Sequence, residues 1–315
     1  MKKLLLSLLA LMAVDTAAQV PRAIVVEHFT NSRCSICANR NPSLFSNLDN
    51  NPNVMHIAYH PSSPYSTCIF SQHNSSENDL RTNFYGIYGG TPRIVINGDV
   101  TNKNFGDQTL FDNYQNQTSA FDIRMSHTAT MDSVFIRVVV EKVSSGDNQY
   151  ALTVGLAEDT IHYNAPNGED LHRNVFREFA VHNQTETAAS VGDSVVYNYA
   201  LERRGAWNEN ALYAYTLLQD PTSDDLLQAS RSNKQSNSVG MGEMTADNFR
   251  AYPIPAKSTV TFDKFVHYRL IDLSGRVSLE GFSDHMDVSS IPNGIYLLNV
   301  NIEGVQRTLR LPVVH

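Results

Sequence analysis

The sequence of 315 residues predicts an α/β domain, then an antiparallel β-sandwich, then a small all-β C-terminal domain. Three observations support this prediction. A β-branched apolar run leads directly into a segment of helical character at residues 23–42. Alternating apolar and polar runs, separated by Gly, Asn and Asp turns, fill residues 121–230. A polar stretch at residues 231–248 then indicates a linker before the third unit.

The N-terminus indicates an exported protein. Lys2 and Lys3 precede a leucine-rich apolar run and then small residues, which is the order of regions in a secretory signal peptide. We expect residues 1–18 to be removed by cleavage after Ala18. No later apolar run approaches the roughly 18 residues that a membrane-spanning helix needs. The sequence therefore predicts no membrane-spanning segment in the mature chain.

Composition narrows the class of partner. Hydrophobic residues make up 42% of the chain and charged residues 18%, which is ordinary for a globular protein. The net charge is −8 at neutral pH, and the sequence has no basic stripe that would neutralise phosphates. We therefore expect no nucleic-acid partner.

The Cys-Ser-Ile-Cys motif at residues 34–37 carries the clearest chemistry. The strand before it and the helix expected at about residues 37–48 place the dithiol at a helix N-terminus, where N–H groups and the helix dipole stabilise a thiolate. Cys34 is the candidate nucleophile of disulfide exchange, and Cys37 is the candidate resolving thiol. A disulfide that only stabilises the fold remains an alternative. No second ligand pair accompanies the motif, so we expect no metal and no cofactor.

This stretch resembles the thioredoxin-like fold. The resemblance rests on the order strand, CxxC and helix, on Pro42, and on a Gly-Gly-Thr-Pro loop that ends at Thr91 and Pro92 and precedes a strand-like run at residues 93–98. In that family the Thr-Pro bond is cis, and its neighbouring backbone pairs with the substrate chain. The resemblance therefore implies an α/β thioredoxin-like domain over residues 19–120, with Thr91 and Pro92 binding substrate.

The resemblance also implies a proton-transfer residue and includes two departures. An acidic residue near the end of the first strand assists proton transfer in the family, and Glu27 is the nearest match. Arg33 stands where family members that reduce proteins usually carry Trp, and Ser35 with Ile36 replaces Gly-Pro. Arg33 favours a thiolate by its charge, but the flat aromatic docking surface is missing.

The rest of the first domain contains a strand expected at residues 54–60, an insertion at residues 60–83 and a closing helix at residues 107–114. The insertion is rich in Ser, Pro and Asn and contains Cys68, the third cysteine. Cys68 is either a buried small apolar residue or a thiol that exchanges with the CxxC pair or with a partner.

The sandwich domain is expected at residues 121–230, with strands at four alternating runs: residues 134–140, 150–158, 194–199 and 212–219. The exported CxxC domain joined to this sandwich, with the segment at residues 172–179 and the lone Trp207, resembles the outer membrane protein 28 family of Bacteroidetes.

Residues 249–315 resemble the C-terminal sorting domain of type IX secretion. The matching elements are an opening Tyr-Pro-Ile-Pro, an Asp-x-x-Gly-Arg at residues 272–276 and a Gly-Ile-Tyr at residues 294–296. Ile254 departs from the usual Tyr-Pro-Asn-Pro opening. The resemblance implies that the type IX machinery is a partner, that the domain is removed, and that the protein is secreted or held at the cell surface or outer membrane.

Two functions follow from these patterns. The leading hypothesis is thiol–disulfide exchange on the thiols and disulfides of envelope or surface proteins. The rival is a cell-surface adhesion or binding protein in which the CxxC disulfide is structural. A carbohydrate-binding sandwich is a third option, although Trp207 and scattered tyrosines supply no evident aromatic platform.

Overall fold

The computed structural model describes residues 19–129, 132–204, 207–208, 210–232, 249, 251–272, 275–302 and 305–315. The signal peptide expected at residues 1–18 and most of the linker expected at residues 231–248 lie outside the described residues. The described chain is mostly β-structure, with a separate β-sheet at the C-terminal end.

The elements of the first 120 residues are β1 (Val20–Pro21), β2 (Ile24–Phe29), α1 (Ser35–Asn50), β3 (Val54–Tyr59), α2 (Ile69–His73), α3 (Ser75–Phe84), β4 (Arg93–Ile96), β5 (Asp99–Thr101), a 3₁₀ turn (Asp112–Tyr114) and β6 (Thr118–Ser119). The next elements are β7 (Phe121–Ala129), β8 (Ser133–Lys142), β9 (Gln149–His162), β10 (Leu171–Thr187), β11 (Ser194–Glu202), β12 (Leu212–Gln219) and β13 (Leu226–Arg231). The C-terminal elements are β14 (Ala251–Tyr252), β15 (Thr259–Ile271), β16 (Val277–Asp287), β17 (Gly294–Ile302) and β18 (Val305–Val313).

One eight-stranded sheet runs through most of the molecule in the order β13-β12-β9-β10-β3-β2-β4-β5. Within it β2 and β3 are parallel, β4 is antiparallel to β2, and β5 is antiparallel to β4. The two halves of the sheet meet where β10 pairs with β3 in parallel at Val175 and Ala58. A three-stranded sheet, β11-β8-β7, packs on the second half.

Both faces of the first half are covered, which explains why β2 is buried along its whole length. Ile24 and Val26 face α1 and pack with its Leu44. Val25 and Phe29 face the opposite side, into the core that the two halves of the sheet share. An apolar run with no polar alternation is the pattern expected of a strand buried on both faces.

The eight-stranded sheet curves until its two ends meet. The N–H of Leu226, at one edge, donates to the carbonyl of Asn97, beside the opposite edge, at 2.9 Å. Gly98 lies at this closure with φ of +92°, and a Cβ there would collide with the carbonyl oxygen of Asp224. A glycine is therefore required where the sheet closes.

The interior of this curved sheet belongs to both halves. Tyr59 of β3 and Tyr215 of β12 meet there with their hydroxyl oxygens 2.8 Å apart. Phe29 packs in the same cluster with Phe176 of β10. Residue 120, the predicted domain boundary, thus lies between two parts of one sheet that share one core.

One region differs from its sequence-based expectation, and the insertion, for which the sequence predicted no element, contains two helices. The closing helix expected at residues 107–114 is mostly turns and ends in the 3₁₀ turn, because the Asp107 carboxylate accepts from the backbone N–H and hydroxyl of Thr109 and so competes with helical bonding. The insertion at residues 60–83 contains α2 and α3, and Asn74 begins α3 by accepting from the N–H of Glu77.

Candidate functional site

The Cys34–Cys37 pair forms a disulfide at the N-terminus of α1. Cys34 is the N-cap residue in an extended conformation, and its Sγ accepts the backbone N–H of Cys37 at 3.0 Å. The Cα atoms are 5.2 Å apart, which is within the usual range for a disulfide. A sulfur in this position lies at the positive end of the helix dipole, which favours a thiolate when the bond is reduced.

Thr91 and Pro92 lie beside this disulfide. The carbonyl oxygen of Thr91 is 3.7 Å from Cys34 Sγ, and the Thr91–Pro92 peptide bond is cis. β4 begins directly after Pro92 and pairs with β2, which fixes the loop next to the start of α1. The tertiary structure therefore brings together Cys34, Cys37, Thr91 and Pro92.

Glu27 lies on the face of β2 that looks away from α1, in a buried ion pair. Its two carboxylate oxygens accept from Nε and an Nη of Arg81 on α3, each at 2.7 Å. The hydroxyl of Tyr85 donates to the same carboxylate at 2.6 Å, and Gln219 accepts from Arg81. Burial alone would lower the pKa of Arg81, but the Glu27 carboxylate raises it well above its usual value.

These bonds bear on the proton-transfer role expected of Glu27. Both oxygens of the Glu27 carboxylate already accept hydrogen bonds from the fully buried Arg81 guanidinium, and such bidentate, charged pairs are strong. Proton transfer by Glu27 to Cys34 or Cys37 would require it to exchange these partners. The role therefore stays a prediction from the resemblance alone.

A chain of neutral polar groups leads from Tyr213, whose ring packs in the shared core, to His56 and His28 on the other face of β2, beneath α1. Tyr213 donates to Oδ1 of Asn174 at 3.0 Å, which turns the Asn174 amide towards Nδ1 of His56 at 3.1 Å. His56 then carries its proton on Nε2, which lies 3.4 Å from Nδ1 of His28. Burial lowers the pKa of His28 to about 3 and that of His56 well below its usual value.

Cys68 is a free, buried cysteine at the N-cap position of α2. Its side chain makes no capping bond to α2, and the hydroxyl of Ser32 donates to its Sγ at 3.1 Å. Phe70 and Val175 pack around it. This is the environment of a small apolar residue, and it agrees with the first of the two interpretations left open by the sequence.

The loop between β9 and β10, here called the 163–170 hairpin, contacts the disulfide segment from more than a hundred residues away. Asn167 Nδ2 donates to the carbonyls of Cys34 at 3.1 Å and Asn31 at 3.3 Å. The same Nδ2 donates to one carboxylate oxygen of Glu169 at 2.6 Å. The other Glu169 oxygen accepts from the side-chain amide of Asn41 on α1 at 2.7 Å.

The sequence predicts the turn of the 163–170 hairpin but not the segment that the hairpin contacts. The Asn-Gly dipeptide at Asn167 and Gly168 is a strong hairpin signal, and Gly168 has φ of +94°. The N–H of Gly168 closes a turn on the carbonyl of Ala165 at 2.9 Å. That signal predicts a turn, but it contains no information about the segment on which the turn packs.

A groove of about 560 Å³ separates α1 from the 163–170 hairpin. Pro42 and Phe45 line its helical side, and Asn167 and Glu169 line the hairpin side. Within the described residues, no group of three or more His, Cys, Asp or Glu side chains is arranged to hold a metal ion. The described helices include none long and apolar enough to cross a membrane.

Comparisons with solved structures give only weak likenesses. A domain of the outer membrane lipoprotein Omp28 from Porphyromonas gingivalis is 13% identical, with 36% of this chain and 86% of that chain covered and a TM-score of 0.27. Beta-glucosidase from Kluyveromyces marxianus is 17% identical over 36% of this chain and 14% of that chain, with a TM-score of 0.21. Red sea bream transglutaminase is 9% identical over 68% of this chain and 34% of that chain, again with a TM-score of 0.21. No curated protein matches the chain.

The C-terminal sheet has a clear family match. Residues 250–313 match the family model described as the secretion system C-terminal sorting domain. In the structure these residues form β14–β18, a sheet of five strands with its own core around Val260 and Leu298. The match supports type IX secretion. The chain therefore carries a sorting domain that implies export by that machinery, followed by secretion or attachment at the cell surface or outer membrane.

Proposed function

We propose that this protein catalyses thiol–disulfide exchange on envelope or surface proteins, with Cys34 as the reacting sulfur and Cys37 as the resolving one. The observation that carries the proposal is the position of Cys34 Sγ. It caps α1, accepts the N–H of Cys37 at 3.0 Å, and lies 3.7 Å from the Thr91 carbonyl. One sulfur thus has both a stabilised thiolate form and a neighbouring backbone edge on which a substrate chain can pair.

The topology around the disulfide supports a thioredoxin-like unit within residues 19–120. The parallel pair of β2 and β3 is connected through α1, and an antiparallel pair, β4 and β5, completes the order β3-β2-β4-β5. The parallel pair around α1 and the disulfide at the start of that helix are the features that support the proposed unit. Its placement within the outer membrane protein 28 family rests on the sequence motifs, as does the signal peptide at residues 1–18.

The exchange balances as two thiol–disulfide steps. A substrate thiolate attacks Cys34 Sγ, a mixed disulfide forms, and the Cys34–Cys37 bond breaks with Cys37 leaving as a thiolate. The second thiolate of the substrate then attacks its own sulfur in the mixed disulfide and releases Cys34. The substrate dithiol is oxidised to a disulfide, and the Cys34–Cys37 pair is reduced by two electrons and takes up two protons. The reverse sequence reduces a substrate disulfide.

A second function is favoured by one observation. Cys34 is only 2% exposed and Cys37 is completely buried, which is the environment of a disulfide that stabilises a fold. A cell-surface binding protein with a structural disulfide agrees with this burial. Its binding face would then lie on the strands of the second half of the molecule.

Single cysteine variants of the full mature chain test the exchange proposal. Cys34→Ser removes the attacking sulfur, so the catalysed rate of insulin-disulfide reduction by dithiothreitol should fall by about tenfold or more. Cys68→Ser is the matched control, because it removes a buried cysteine outside the disulfide and should leave the rate unchanged. Equal rates for the native chain and Cys34→Ser would exclude the exchange function.

The reduction potential of the Cys34–Cys37 pair separates the two functions. Thiol trapping in glutathione buffers should give a potential between about −120 and about −270 mV if the pair is a working oxidoreductase centre. A potential below about −300 mV is typical of structural disulfides and would favour the binding protein.

A further inference from the structure

The 163–170 hairpin holds the backbone that carries the disulfide. The side-chain amide of Asn167 donates to the carbonyls of Asn31 and Cys34, and its backbone N–H donates to the carbonyl of Ser32 at 3.2 Å. One residue thus lies within hydrogen-bond distance of three carbonyls in the four-residue turn that leads into α1. The hairpin belongs to the β9–β10 connection, so the contact joins the two halves of the molecule.

Glu169 strengthens this contact. The Asn167 Nδ2 group has two hydrogens and three acceptors, and the shortest of the three bonds, at 2.6 Å, goes to the Glu169 carboxylate. The other Glu169 oxygen accepts from Asn41, whose amide also donates to the hydroxyl of Thr30 at 3.0 Å. The carboxylate therefore ties the hairpin to the second turn of α1, the helix that Cys34 caps.

The two sulfurs are shielded, although residues between them are not. Ile36 is 58% exposed, whereas Cys34 is 2% exposed. A thiolate must approach the sulfur it attacks, so exchange depends on access as well as on thiolate chemistry. A bulky protein thiol therefore reaches Cys34 Sγ only after a neighbouring segment moves, whereas a small dithiol needs less space.

The hairpin is the neighbouring segment best suited to move as a unit. Its turn is closed internally by the bonds from Gly168 to Ala165 and from Ala165 to Glu169 at 2.7 Å, so it keeps its shape when its outer contacts break. The loop at Thr91 is fixed by β4, which pairs with strands on both sides. Asn167 and Glu169 also line the groove beside α1, so a partner segment that enters the groove contacts both residues.

We propose that the 163–170 hairpin is a latch that selects which thiols react at Cys34–Cys37, with Asn167 and Glu169 as its positioning residues. In the closed state a small dithiol reaches the disulfide more readily than a protein thiol does. A protein partner reacts after its segment displaces the bonds that Asn167 makes to Asn31 and Cys34. This proposal rests on the exchange function proposed above.

The test compares reduction of the Cys34–Cys37 bond by a small and by a large dithiol. Dithiothreitol and reduced thioredoxin are each added to the full mature chain, and single-turnover rates are followed by thiol trapping. Asn167→Ala should raise the rate with thioredoxin by about tenfold and the rate with dithiothreitol by about twofold or less, because only the bulky reagent needs the open latch. The exposed Asn164→Ala on the same hairpin is the matched control and should match the native rates.

The ratio of the two rates is the decisive quantity. The ratio is read only from variants whose thermal midpoint equals that of the native chain, because general destabilisation also opens the chain to the bulky reagent, whereas loss of the latch changes the ratio at an unchanged midpoint. Glu169→Gln provides an independent variant, because it replaces one of the two accepting oxygens with an NH2 group that faces the amide donor of Asn167 or Asn41, and it should shift the ratio in the same direction. Unchanged ratios in both variants, with thermal midpoints equal to that of the native chain, would overturn the latch.

These rates are measured on the protein's own disulfide and do not require turnover of a substrate. If the ratio of the thioredoxin rate to the dithiothreitol rate changes but the chain does not reduce insulin, the hairpin controls access to the disulfide and the exchange function is excluded. Insulin-reducing activity combined with an unchanged ratio would sustain exchange and exclude the latch.

Discussion

Glu27 and His28 are consecutive residues of β2, both are buried, and they lie on opposite faces of the same strand. Glu27 pairs with Arg81, a guanidinium with no solvent exposure. On the other face, burial lowers the pKa of His28 to about 3, so His28 is neutral at physiological pH and bonds to the neutral His56. One face of the strand keeps its charges and the other excludes them.

The difference between the two faces shows what a buried ionisable group needs in order to stay charged. Desolvation opposes the charged form on both faces, but only the Glu27 face offers an opposite charge in bidentate contact, at 2.7 Å on each side. Besides burial, His28 and Arg173 lower the pKa of His56, and Arg40 lowers the pKa of His28, so the neighbours on this face disfavour a positive charge. Whether a buried group on β2 stays charged therefore depends on the charge of its partner and not on how deeply the group is buried.

Breaking the charged face should have the largest effect. Arg81→Met leaves the Glu27 carboxylate buried without its cation, and we expect the free energy of unfolding to fall by about 3–5 kcal/mol. Urea unfolding followed by circular dichroism measures this loss. Arg204→Met is the control, because Arg204 is 48% exposed at 3.7 Å from Glu178, and exposed pairs contribute about 1 kcal/mol or less.

A double variant sharpens this prediction. Glu27→Met combined with Arg81→Met removes both charges, and it should recover a large part of the stability that Arg81→Met loses. If Arg81→Met lowers the free energy of unfolding no more than Arg204→Met does, the Glu27 carboxylate does not depend on Arg81 for compensation of its charge. The contrast between the two faces of β2 would then disappear.

Acid should destabilise the protein through the neutral face of β2, where His28 and His56 are buried without charge. His28 has a folded-state pKa below its unfolded value, so it contributes stability above about pH 6.5 and loses it as the pH falls towards about 3. Within that window each pH unit costs about 1.4 kcal/mol for each such histidine. Between about pH 6.5 and about pH 4.5, His28→Phe should therefore lose about 2–3 kcal/mol less stability than the native chain does.

Phenylalanine suits this site because the His28 ring already packs edge-on against Phe45 and Phe105. His162→Phe, at an exposed position of β9, is the control and should retain the native pH dependence. Comparison of variant with native chain at each pH cancels the titration of the carboxylates. Parallel pH profiles for His28→Phe and the native chain would show that His28 is not buried in its neutral form.

Placing a carboxylate on the neutral face, so that it resembles the charged face, should have the smallest effect on stability. Asn174→Asp keeps an acceptor for Tyr213 and places a carboxylate beside His56 Nδ1, as Glu27 stands beside Arg81. The pKa of His56 should rise, so the variant should gain about 1 kcal/mol relative to the native chain as the pH falls from about 7 to about 5.

Urea unfolding at the two pH values measures this gain. The exposed Asn164→Asp adds the same charge away from the histidines, and it should show no such gain. If Asn174→Asp and Asn164→Asp respond to pH alike, His56 does not sense the new carboxylate, and an opposite charge beside a buried group is not what separates the two faces.

Local pattern determined much of the architecture. The unbroken apolar run of β2 requires burial on both faces, and the alternation in β8 and β11 requires a half-buried sheet. The CxxC spacing places both sulfurs within one helical turn, and the C-terminal motifs identify the sorting domain. These features depend on residues close together in sequence, which is why the sequence by itself determined them.

Contacts between distant segments were decided by the tertiary structure alone. Nothing in the neighbourhood of Asn167 shows that its amide bonds to the carbonyl of Cys34, and nothing near Glu27 shows that its partner is Arg81 on an inserted helix. The continuous sheet through β3 and β10 likewise joins strands separated by more than a hundred residues. Pairing of this kind is selected by the total burial and hydrogen bonding of the folded chain, and no local period in the sequence encodes it.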